Sequence, residues 1–292
     1  MVLGGAGRVG RSKSSSSDPP PGSTHAADLS PPFLTTLLSS VSSNFALFVT
    51  LTLYALPGLV VGFTLHELAH AAVAVRLGDP TPRRDGRLSL DPLHHIDPVG
   101  FALLLAIGFG FAKPVRFNAV RVPSRAQQAL IAAAGPLTNL LLAVLFGIAL
   151  RLVVNDDPTA ISPNGDLFFD INDTYLFHGG AHFVFALVLY QAVWVNALLF
   201  VFNSIPIPPL DGFAVFKGLL DPTLPDLVRW MERNAGMLQL TGFLVLFVLP
   251  QLGSNVAGGW IGRATTWVVE RAYNGPAPPI GGILPFLNVL RS

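Results

Sequence analysis

The sequence contains no cysteine, and it is poor in charge. Zero cysteines exclude disulfides and every thiolate metal or redox site. Charged residues make up only 12% of the 292 residues, while hydrophobic ones make up 51% and mean hydropathy is +0.55. Soluble domains carry about 25% charged residues, so this composition belongs to a multispanning membrane protein. A net charge of +1 gives no reason to expect a nucleic-acid partner. Without thiolates, any metal must be held by histidine and carboxylate, a donor set that suits Zn²⁺ in an open site.

Glutamate is also rare, yet one of the few stands in His66-Glu67-Leu68-Ala69-His70, inside a run from Phe45 to Val75 with no other charged residue. On a helix, positions i and i+4 share a face, so His66 and His70 can offer two imidazoles to one ion. Glu67 is placed as a general base for a metal-activated water. Ionisable groups in apolar sequence are costly unless they pair or bind metal, so these three read as a functional site.

Taken in order, residues 1–44 lack core-forming sequence and read as a disordered tail. The first span is Phe45–Val75, longer than the ~20 residues needed to cross a bilayer, with a kink expected at Pro57-Gly58. Residues 76–125 are basic, and within them Pro98–Ala112 is apolar but short, as in a re-entrant segment. The flanking Gly86–Leu90 and Pro114–Asn118 read as short strands or turns. Gln127–Val154 and His182–Phe202 are the second and third spans, and Met237–Leu252 is a short fourth. The expected fold is therefore an all-α polytopic membrane protein. It has about four core transmembrane helices and a re-entrant, β-like cytoplasmic segment. The catalytic domain covers 45–252, and 253–292 reads as a C-terminal tail in which Ile280–Leu290 can lie at the interface.

Arginine and lysine crowd residues 76–125, whereas 155–181 contain aspartates and neither cation. The positive-inside rule then puts 76–125 and 213–236 in the cytoplasm and 155–181 outside. His66, Glu67 and Asp211 fall near the cytoplasmic face of a multi-pass cell-membrane protein.

Two histidines leave zinc short of a third protein ligand. Asp211 is the candidate, because it follows a proline-broken helix end, Asn203–Pro209, on the same membrane side as His70. The competing reading is that Asp211 only caps the next helix. His94 and His95 read as solvated or locally hydrogen-bonded, and His178 and His182 as interfacial, since neither pair has a companion motif.

Five stretches in the same order resemble the site-2 protease family of intramembrane zinc metalloproteases, in its compact bacterial and archaeal form. They are His66–His70, Gly86–Gly100, Gly110–Val115, Ala134–Asn139 and Asn203–Gly212, and the similarity spans roughly residues 45–250. The resemblance implies one Zn²⁺ per chain, held by His66, His70 and Asp211, with Glu67 as the base. It implies Asn203 beside the metal, binding substrate or stabilising the oxyanion, and Asn139 near the site as a substrate contact. Interhelical hydrogen bonding is the alternative for both asparagines. The implied activity is hydrolysis of peptide bonds within or near transmembrane helices of membrane protein substrates, in regulated intramembrane proteolysis. The partners expected are a membrane-spanning protein substrate and the lipid bilayer, with no nucleic acid. A non-proteolytic zinc-containing membrane binding protein or transporter is the competing function. Residues 155–181 are too short for the substrate-sensing PDZ domain of some relatives, and the C-terminal residues too few for a regulatory CBS pair.

Overall fold

The apolar run around His66 forms one long helix, α1 (Pro31–Arg76), that continues through Pro57. The computed structural model describes residues 31–107, 113, 115–155, 181–245 and 256–273. The chain divides into two units, Met1–Val41 and Ser42–Ser292; the first is described only from Pro31 onwards, as helix, and all that follows concerns the second. The expected tail 1–44 thus falls mostly outside the described residues, and its last part is helical.

After α1 come a short helix α2 (Thr81–Arg84), a 3-10 turn at Pro92–His94, and α3 (Pro98–Ile107). Asp79 anchors this region. Although fully buried, it accepts from the Thr81 backbone and hydroxyl at 3.0 and 2.6 Å and from the Asn118 backbone at 2.6 Å. Burial pushes its carboxyl up, but these donors outweigh that cost and hold it below the usual carboxylate range.

α4 (Arg125–Asn155) and α5 (Ala181–Asn203) pack together, followed by α6 (Asp211–Leu220), α7 (Pro225–Arg233), α8 (Ala235–Phe243) and α9 (Val256–Tyr273). On α5 the buried residues Ala186, Leu189, Tyr190, Val193, Ala197 and Val201 form one stripe at helical spacing. The opposite logic governs α4. Leu137, Leu141, Leu145, Ile148 and Leu152 are exposed, although the other face, with Ala143 and Leu150, is buried. A helix apolar on both its packed and its open face fits lipid, not water. Among the described residues three helices are long and apolar enough to cross a membrane: Thr52–Arg76, Arg125–Val153 and Val184–Asn203.

Several expectations change in detail. The fourth expected span begins in α8, and its part from residue 246 onwards lies outside the described residues. The helical part of the expected re-entrant segment is α3, and its remainder is likewise outside. No β-ladder occurs among the described residues: Gly86–Leu90 is turn and irregular chain, and residues 115–118 are irregular chain. Backbone pairing is confined to an isolated bridge at Ile96 and the Lys113 N–H donating to the His95 carbonyl at 2.9 Å, beside which Arg87 donates to the Lys113 carbonyl at 3.3 Å. The expected C-terminal tail contains α9, whose Val268, Val269 and Ala272 join the α4–α5 core. Arg263, Glu270 and Arg271 interrupt any apolar run there, which hid an amphipathic face at 261, 264, 268 and 272.

Candidate metal centre

His66 and His70 lie on the α1 face turned towards α4, and both are buried. Their Nε2 atoms approach to 3.0 Å, and Asp211 Oδ2 lies 3.1 Å from one and 3.3 Å from the other. Donor atoms held at ~2.0–2.1 Å in a tetrahedron stand about 3.3 Å apart, so the spacing suits a zinc-sized ion.

The hydrogen bonds on the far side of each ring decide what occupies this point. His70 Nδ1 lies 2.7 Å from the Ile131 carbonyl, which can only accept, so Nδ1 carries the proton. His66 Nδ1 lies 2.6 Å from Asn139 Oδ1, while the Asn139 amide nitrogen donates to the Gly62 carbonyl at 3.2 Å. Asn139 therefore presents its oxygen, and His66 also carries its proton on Nδ1. Both Nε2 lone pairs and a carboxylate oxygen then converge with no donor among them. One proton can serve one pair of these acceptors; a divalent cation serves all three. The residues fit a metal, and the far-side bonds fix ring orientation as second partners of metal-bound histidines do. Among the described residues these three form the one such donor group.

Two glycines make the geometry possible. A Cβ at Gly135 of α4 would stand 2.3 Å from His70 Nε2 and 2.6 Å from His66 Nε2, in the space the donors face. A Cβ at Gly212 would lie 2.4 Å from the Ser204 carbonyl oxygen. The start of α6 can therefore fold tightly back on the turn that ends α5, which brings Asp211 to the histidines. α6 is held against the first turns of α4 by Arg125–Asp221 at 2.6 Å and by Gly218, which has no side chain to keep Ala129 away. The cap position of α6 is Leu210, and Asp211 sits inside the first turn with its carboxylate on the histidines. That removes the capping reading.

Glu67 is buried, next in the chain to His66. Asn203 ends α5, and its amide donates back to the Leu199 carbonyl at 3.0 Å, so its hydrogen bond stays within its own helix. His94 pairs with Asp91 at 3.2 Å in solvent, and His95 donates from Nε2 to the Ser89 carbonyl at 2.8 Å; both are local, as expected. His178 and the side chain of His182 lie outside the described residues. Gly135 and the Ile131 carbonyl were not legible as site components.

A model of the family described as peptidase family M50 matches residues 54–249, which cover every group above. The chain belongs to peptidase family M50. The likeness to site-2 proteases read from five motifs is thereby borne out. A Bacillus subtilis protein provisionally named zinc metalloprotease YwhC is 37% identical over 211 residues, 70% of this chain and 83% of its own length. Mycobacterium tuberculosis Rip2, provisionally named in the same way, is 30% identical over 218 residues, 73% of this chain and 71% of the relative. The Mycolicibacterium smegmatis Rip2 is 26% identical over 228 residues, 76% of this chain and 75% of the relative. No solved structure matches the chain significantly.

Proposed function

We propose that this M50 member is an intramembrane zinc metalloprotease, holding one zinc per chain through His66, His70 and Asp211. Its substrates are membrane-spanning proteins, cut within or near a transmembrane helix. The observation that carries the reading is the convergence of two histidine Nε2 atoms and one carboxylate oxygen, with a buried glutamate next to His66 in the chain. A purely structural metal site has no use for that glutamate.

Zinc, when bound, supplies Lewis-acid polarisation and makes water a usable nucleophile near neutral pH. Glu67 takes the proton of the attacking water and returns it to the departing amine as the C–N bond breaks. Asn203 is assigned to the substrate or its oxyanion, and Asn139 to the orientation of His66 instead of direct substrate contact. A substrate helix must unwind before attack, because its own hydrogen bonds shield its peptide groups. The proline-broken turn between α5 and α6 offers backbone groups to an extended stretch.

Glu67→Gln tests the reading. Zinc content stays at the wild-type level, and cleavage of a model membrane-helix substrate falls by about 100- to 10,000-fold. Unchanged cleavage sinks the mechanism. A wild type that binds zinc but cuts no membrane helix points to a binding protein or transporter instead.

The active site is assigned to the cytoplasmic face on charge asymmetry. Since the chain lacks cysteine, single introduced cysteines read topology directly. Arg84→Cys stays protected from an impermeant thiol reagent in intact cells, and Asp170→Cys is labelled. The reverse pattern puts the site outside.

A further inference from the structure

Asn196 lies on α5, fully buried, and does not touch the three metal-facing residues; its links run to Asn139 and to carbonyl groups. Its amide nitrogen donates to the Gly58 carbonyl at 3.2 Å and to the Ala192 carbonyl at 2.9 Å. Both are pure acceptors, so the orientation of the Asn196 amide is fixed by the backbone of α1 and of its own helix. Its Oδ1 then has one direction to face, and it receives the Asn139 amide nitrogen at 2.9 Å. Asn139 Oδ1 in turn accepts from His66 Nδ1.

We propose that Asn196 is a positioning residue, which locks His66 with its Nε2 lone pair towards the metal by fixing the Asn139 amide. Turning Asn139 over would set an NH₂ group against His66 Nδ1 and a carbonyl against Asn196 Oδ1 and the Gly62 carbonyl. Turning Asn196 as well would set its carbonyl against those of Gly58 and Ala192. Each reversal buries unpaired acceptors face to face, at a cost comparable to lost buried hydrogen bonds. The Gly62 carbonyl is a weaker anchor for Asn139, because it is longer at 3.2 Å and also serves the α1 ladder. Asn139 and Asn196 are both fully buried, so water cannot replace either bond. Close helix approach makes the chain possible: a Cβ at Gly62 would stand 2.7 Å from Asn196 Oδ1, and one at Gly58 would lie 2.5 Å from Ala192 Cα.

The inference rests on the zinc reading above, and the experiment separates the two. Zinc affinity is measured on the purified full-length protein by competition with a chelator, beside the thermal stability of the metal-free form and the visible spectrum of the Co²⁺-loaded form. Asn139→Ala weakens zinc binding about 10- to 100-fold, as loss of a histidine's second partner does. Asn196→Ala weakens it about tenfold and shifts the cobalt bands. In the Asn139→Ala background the same change alters affinity less than twofold, because its route to His66 is already cut. Asn196→Asp, measured at a pH where this buried acid is neutral, keeps an oxygen towards Asn139 and an O–H towards the Ala192 carbonyl, and stays within about threefold of wild type. Should Asn196→Ala fail to fold, Asn196→Ser gives the same comparison, since its hydroxyl can satisfy the Ala192 carbonyl and ends short of Asn139. Independent, additive losses overturn the proposal, as does an aspartate variant as weak as the alanine one or an alanine variant as tight as wild type. A wild type that holds no zinc removes the zinc reading and this inference together.

Discussion

Asp211→Asn leaves zinc content well below one per chain, and cleavage disappears with it. Asparagine has nearly the same shape, so the change isolates charge. In the folded protein the Asp211 oxygen stands at 3.1 and 3.3 Å from two imidazole nitrogens, which carry no proton when the rings are neutral. Two neutral imidazoles bring no negative charge to a divalent ion; the carboxylate supplies half of what neutrality requires. Replacing it with an amide removes that charge and leaves a weaker donor, in a buried setting where electrostatic terms are large. If Asp211 served as a helix cap, asparagine would be nearly silent, since it caps as well as aspartate. Leu210 already occupies the cap position, which makes silence the unexpected result. Asn203→Ala is the natural contrast, with zinc retained and turnover reduced. Full zinc and full activity in Asp211→Asn would remove this residue from the site.

The residues of the candidate site stood out in the sequence because each contradicted its surroundings. His66, Glu67 and His70 are ionisable groups in an apolar run, and Asp211 follows a stretch in which prolines forbid helix. The three described spans were legible by length and apolarity alone. The supporting groups were not, for a physical reason. A carbonyl such as that of Ile131 has no side-chain signature, and a glycine beside a metal reads like a glycine anywhere in a bundle. Asn196 carried a faint signal, as a polar residue in an otherwise apolar span, but its partners lie on two other helices. The α9 helix was missed because its apolar residues are spaced around one face instead of run together. Periodicity would have found it where a hydropathy run could not. The start of α1 was placed too far downstream, at Phe45 instead of Pro31, since Ser and Thr between apolar residues resemble a linker until a long helix incorporates them.

Gly135→Ala carries the second large effect, and its logic is steric. The methyl group would sit 2.3 Å from one imidazole nitrogen and 2.6 Å from the other, close to the ~2.0–2.1 Å at which zinc binds nitrogen. The alanine side chain therefore competes for the space the ion needs, and the rings must turn away to admit it. Helix propensity works in the opposite direction, because alanine favours the middle of a helix over glycine by roughly 0.8–1.0 kcal/mol. The expected result is a protein that keeps its helix content and metal-free thermal stability, yet binds zinc at least a hundredfold more weakly and cuts nothing. That combination distinguishes an occupied site from a broken bundle, in which both stability and zinc would fall. Circular dichroism and zinc competition on the same preparation check it. Wild-type zinc affinity in Gly135→Ala would mean that the ion lies on another side of the histidine pair, and the converging donors would need a different explanation.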